Sequence, residues 1–198
     1  MRGSCEMVEM NSSLLAAMTE RLKAASSRFA FVQARVSAET LVRDECALAA
    51  HEMLEGRGYR VHMEKEMEGK RADLMIVPVD DNRKEDRSHA CLIETKMAWP
   101  GGIGECAAYV KTDLGALAGR DNAWVLVLYF AFDESLSWLP FGRREIPFER
   151  GLIKFLDMVG PDTPIRGDIF SFAHDGVKGR ACLLAWRAKK HASPPALI

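Results

Sequence analysis

Residues 89–132, HACLIETKMAWPGGIGECAAYVKTDLGALAGRDNAWVLVLYFAF, decide the fold. The stretch opens with a β-like run, HACLIETKM, and breaks at Trp99-Pro100-Gly101-Gly102. It continues with Ile103, Ala107, Val110, Leu114 and Leu117 at helical spacing, and Gly119 ends the helix. It closes on AWVLVLYFAF, the most hydrophobic strand in the chain. An apolar run of that length without polar alternation belongs inside a sheet covered on both faces, so this strand is predicted to be central.

Upstream, YRVHMEKEM and RADLMIVPV read as an antiparallel hairpin turning at Glu68-Gly69-Lys70. The charged segment DDNRKEDRS that follows is predicted to be a solvated loop. Before the hairpin, Ser37 caps a helix over about Ala38–Glu55, which exits through Gly56 and Gly58. Residues 1–36 form an N-terminal helical extension whose apolar positions include Leu14, Leu15, Met18, Leu22 and Phe29, either capping the core or offering a partner surface. After Asp133 come an irregular loop, a short helix around Arg150–Val159 and a C-terminal β-hairpin turning through Asp175-Gly176. The order helix, hairpin, strand, helix, strand is that of an α/β sandwich with a mixed sheet between helices. Residues 37–198 are expected to form one domain, its core about 38–132.

Composition mainly excludes. With 198 residues, 48% of them hydrophobic, the chain can bury one good core. Five cysteines without a Cys-x-x-Cys pair argue against a disulfide framework or a zinc knuckle. No apolar run reaches the ~20 residues needed to span a bilayer. The start MRGSCEMVEM lacks the hydrophobic middle of a signal peptide. These readings predict a soluble cytoplasmic protein. The net charge of −1 supplies no broad attraction to phosphate. Residues 141–198 hold ten basic against six acidic residues, and residues 1–140 seventeen against twenty-two. Arg143, Arg144, Lys178, Arg180, Arg187, Lys189 and Lys190 could therefore make a phosphate-tracking flank, or simply a solvated surface.

The chemistry-bearing residues cluster on the strands. Side chains alternate along a strand, so Glu94 and Lys96 share a face that Thr95 does not. Asp73 lies on the neighbouring hairpin strand, and adjacent strands run only ~4.8 Å apart, close enough to bring its carboxylate beside Glu94. Two hard oxygen donors suit Mg²⁺ or Mn²⁺, and the Thr95 carbonyl is a third candidate ligand. Lys96 would orient the attacking water or donate to a phosphate oxygen. On the preceding helix Glu45 and Glu52 stand seven residues apart beside the sector of Leu41, Leu48, Ala49 and Met53. A carboxylate facing a core needs a compensating cation, and a metal site beneath the helix would supply one.

In this order, a helical Glu, Asp73 in RADL, then Glu94-Thr95-Lys96 followed by helix and apolar strand, residues 38–132 resemble the PD-(D/E)XK phosphodiesterase superfamily. Ala72 stands where many members have Pro, and ECAAY carries Glu105 and Tyr109 where one branch has Gln-x-x-x-Tyr. The resemblance implies a restriction-endonuclease-like α/β/α sandwich and metal-dependent hydrolysis of DNA, less often RNA, in restriction, repair or defence. Asp73 and Glu94 would bind metal, Lys96 would assist the nucleophile, and Glu45 or Glu52 would orient Lys96 or a second ion. Cutting two strands needs two sites, which together with the apolar N-terminal helix suggests a homodimer. The competing expectation is a non-catalytic binding protein of immunity or regulatory type on the same scaffold, acting through a protein partner.

Overall fold

The structure, a computed structural model, describes residues 10–28, 39–67, 70–133, 147–174 and 177–189. The helices α1 (Ser12–Ala24), α2 (Glu39–Leu54), α3 (Ile103–Leu117) and α4 (Phe148–Val159) flank an open mixed sheet. Its seven strands are β1 (Tyr59–Met67), β2 (Lys70–Pro78), β3 (Cys91–Ala98), β4 (Ala123–Phe132), β5 (Ile165–Arg166), β6 (Phe170–His174) and β7 (Val177–Arg187). The order is β1-β2-β3-β4-β7-β5, with β6 also paired to β7. Only β3 and β4 run parallel, as their connection through α3 requires.

The strand AWVLVLYFAF is central as its composition predicts, buried from Ala123 to Ala131. Its two faces feed two cores. Trp124, Leu126, Leu128 and Phe130 pack towards α1 and α2. Val125, Val127 and Tyr129 pack towards α3 and α4, where Tyr129 stacks on Phe155 and meets Phe148 edge-on. Among the described residues no helix is long and apolar enough to cross a membrane.

Packing decides two features of the periphery. Of its two expected roles the N-terminal helix takes that of a cap on the core: Asn11 caps it at Leu14 N, and Leu14, Leu15, Met18 and Leu22 are buried in the core shared with α2. Each such side chain contributes roughly 1.5–3 kcal/mol by leaving water. The apolar face that suggested a dimer contact is therefore consumed inside the molecule. β6 and β7 pair antiparallel as the C-terminal hairpin expects, and β7 also pairs with β4 over nine residues and carries β5 on its far side. Ser37 and Phe29 lie outside the described residues. Gly56 and Gly58 take φ +71° and +80°, which accounts for glycine at the exit of α2.

Gly179, where β6, β7 and β4 meet, has no room for a side chain. A Cβ there would overlap the Ala131 carbonyl oxygen and the Phe172 ring. Gly179→Ala should cost about 1–3 kcal/mol by overpacking. The check is a lowered urea midpoint, and an unchanged midpoint would contradict this packing.

The ladder lapses at one place. β1 and β2 keep one register from Tyr59↔Pro78 to Met67↔Lys70, but Glu64 and Asp73, which face each other, do not pair. The β2–β3 ladder covers only Leu74↔Ile93, Met75↔Leu92 and Ile76↔Cys91. The next pair in that register would be Asp73 opposite Glu94. There the strands part, and side-chain chemistry takes over.

Candidate active site

At the split, Asp73 Oδ2 accepts from Thr95 N and from Thr95 Oγ1, both at 2.8 Å. A carboxylate thus replaces the carbonyl that a continuing ladder would have offered to the Thr95 amide. Thr95 is buried and points away from Glu94 and Lys96. Glu94 and Lys96 stand opposite Val125 and Val127 of β4, on the face covered by α3.

The Asp73 carboxylate lies near enough to Glu94 to act on it, so two carboxyl groups share a half-buried place. Burial first, and then the negative charge of Asp73, push the Glu94 carboxyl up to about 7; Lys96 pulls it down and Asp113 adds to the rise. A pair in this contact needs a shared proton or a cation.

Lys96 Nζ donates to the Thr95 carbonyl at 3.1 Å. It lies 3.3 Å from Asp113 Oδ2, 3.6 Å from Glu39 Oε1 and 4.0 Å from Glu94 Oε2. Burial works to lower its pKa, but Asp113, Glu39, Asp73 and Glu94 together outweigh it and the net direction is upward. Lys96 is therefore an ammonium at neutral pH, suited to donating to an anion and unsuited to taking a proton. Asp113 Oδ2 is buried and, although near Lys96, makes no hydrogen bond among the described residues.

A divalent cation fits this donor set. Among the described residues no group of three or more His, Cys, Asp or Glu side chains is placed to hold a metal. Mg²⁺, however, is commonly held by one or two carboxylates and keeps several waters. Asp73 and Glu94 supply two hard oxygens whose mutual repulsion a cation would relieve. The Thr95 carbonyl, the third candidate, accepts from Lys96 here.

The α2 acid at the cluster is neither of the two singled out in the sequence. Glu45 is buried, but it pairs with Arg21 at 3.0 Å and Arg28 at 3.3 Å. Glu52 is half-exposed and pairs with Arg21 at 3.3 Å. These cations from the N-terminal helical region are what compensate the inward carboxylate. Glu39, in the first turn, is the α2 acid that reaches Lys96. Sequence reasoning missed it, since an acid in a first turn is ordinarily read as a partner for the helix dipole. Asp113 carried a usable signal: it lies three residues after Val110 and four before Leu117, inside the buried stripe of α3.

Other sequence candidates are spent elsewhere. Tyr109 donates to Glu105 at 3.0 Å on the exposed face of α3. In the proposed basic flank, Arg180 pairs with Glu149 and Lys189 with Asp162, while Arg143, Arg144 and Lys190 lie outside the described residues. Between β2, β3 and α3 a cavity of about 220 Å³ adjoins the cluster, its polar lining being Arg71, Glu94, Asp113 and Arg120.

Compared with protein-family models, curated proteins and solved structures, the chain finds no match in any of the three.

Proposed function

We propose that the protein is a metal-dependent phosphodiesterase acting on nucleic acid, DNA in preference to RNA, on a restriction-endonuclease-like scaffold. The observation that carries this reading is the strand split, where the ladder ends, Asp73 turns to Thr95 and Glu94 stands beside the Lys96 ammonium. Support also comes from the element order, with β3 and β4 parallel around α3 and helices on both faces.

Asp73 and Glu94 would hold Mg²⁺ or Mn²⁺, with the Thr95 carbonyl as a third donor once Lys96 turns to substrate. Bound there, the ion would supply Lewis-acid polarisation of a phosphate oxygen and a water of lowered pKa. The protein's own groups do the rest. Thr95 orients Asp73 through two hydrogen bonds, so the carboxylate loses little freedom when it binds. Lys96 presents a fixed positive charge to a non-bridging phosphate oxygen, where negative charge grows in the transition state. Glu39 and Asp113 hold that ammonium from helices on opposite faces of the sheet.

A second reading, a binding protein without catalysis on the same scaffold, is favoured by that same bracing, since an ammonium shared among acids also serves as a structural ion cluster. Incubating the protein with plasmid and with single-stranded oligonucleotides separates the two. The expected result is cleavage with Mg²⁺ or Mn²⁺ and none with EDTA. Absence of cleavage on every substrate, with no change in melting temperature on adding either metal, would favour the binding protein.

A further inference from the structure

The cavity between β2, β3 and α3 shares Glu94 and Asp113 with the candidate active site and adds Arg71 and Arg120 to an otherwise apolar lining. A ligand there lies directly against the reacting centre. It must offer negative charge to the arginines and a non-ionic portion to the small apolar residues. Glu94 and Asp113 would repel such an anion if they stood alone, but Lys96 lies within 4.0 Å of the first and 3.3 Å of the second.

Arg71 is held in place at some cost. Its guanidinium pairs with Glu64, which also accepts from Arg43 of α2. Glu64 sits at φ +51°, in the left-handed region, a strain of about 1 kcal/mol for a residue with a side chain. It does so opposite Asp73, where the hairpin register lapses. The same irregularity that frees Asp73 for the site therefore also sets Arg71 beside it. One ion pair uses only part of a guanidinium's five donors, and the Arg71 side chain is 65% exposed, open to a ligand.

Building on the hydrolytic reading, we propose that this cavity seats the phosphodiester next to the one being cut, with Arg71 and Arg120 gripping its phosphate and the apolar lining receiving its sugar. Arg71 and Arg120 are binding residues in this scheme and leave the bond-breaking step to the neighbouring cluster.

The test measures fluorescence anisotropy of labelled single-stranded and duplex oligonucleotides in Ca²⁺ across a salt series, for wild type, Arg71→Ala, Arg120→Ala and Lys23→Ala. Lys23 lies on α1, against the opposite face of the sheet. Each arginine variant should bind about tenfold more weakly, with a salt dependence shallower by about one. Arg71→Lys should recover only part of the loss, because it restores charge without the planar fork. Lys23→Ala should bind as wild type. Wild-type affinity and salt slope in both arginine variants would overturn the proposal, as would an equal loss in Lys23→Ala or a wild type that binds no oligonucleotide. The two readings fail separately. Arginine-dependent binding without Mg²⁺-dependent cleavage removes hydrolysis and keeps the phosphate seat. Cleavage with an unchanged KM in both arginine variants removes the seat and keeps hydrolysis.

Discussion

Lys96→Met should lower the rate of phosphodiester cleavage about a thousandfold, at the upper end of what is lost when one preorganised donor to a developing anion is deleted. The methylene stem survives in methionine, so packing along β3 changes little. What vanishes is the charge that faces Asp113, Glu39 and Glu94. Stability should fall as well, by about 1–3 kcal/mol, since Asp113 Oδ2 is buried and loses its cation. Lys96→Arg separates the two effects: it restores the charge and most of the stability but cannot reproduce a compact ammonium, so the rate should stay low. Asp73→Asn completes the set. It keeps an oxygen for Thr95 N and Oγ1 while removing the charge, and should likewise abolish metal-dependent cleavage in a well-folded protein. Cleavage at the wild-type rate by Lys96→Met or Asp73→Asn would remove the proposed chemistry.

Without metal, the protein should lose stability as pH rises from about 4.5 through about 7, and Glu94→Gln should abolish that loss. Burial and the nearby Asp73 charge lift the folded-state pKa of Glu94 from 4.5 to about 7. The folded chain therefore binds more proton than the unfolded chain between those values, and stability falls with rising pH. Below about 4.5 both states hold the proton and there is no penalty. Above about 7 the penalty is complete, about 3 kcal/mol from the difference in pKa. The variant should match wild type near pH 4.5 and exceed it by that order at pH 8, read from denaturant midpoints. Mg²⁺ or Mn²⁺ at pH 8 should raise wild type towards the variant and do little for Glu94→Gln. Parallel stability curves for the two proteins across this range would show that Glu94 does not carry a buried charge.

Much of this site was legible because strands are simple to read. The period of two puts Glu94 and Lys96 on one face and Thr95 on the other. An antiparallel pairing of the two strands could bring Asp73 close to Glu94, and the register observed does so. The helices were harder. Glu45 and Glu52 look alike on a helical projection, yet one is buried and the other half-exposed, both facing arginines. Projection gives angle without depth: it cannot tell that the first turn of α2, and not its middle, comes level with the end of β3.

The amino-acid sequence by itself determined the central strand, the hairpin, the helices around them and the strand-borne acids with their lysine, because each of these follows from local periodicity and turn chemistry. Tertiary structure alone decided which of its two expected roles α1 takes, that β7 lies inside the sheet, that the ladder parts at Asp73, and that Glu39 is the α2 acid that reaches Lys96. Those outcomes depend on how far each element slides along its neighbour, which is set by packing between segments distant in the chain.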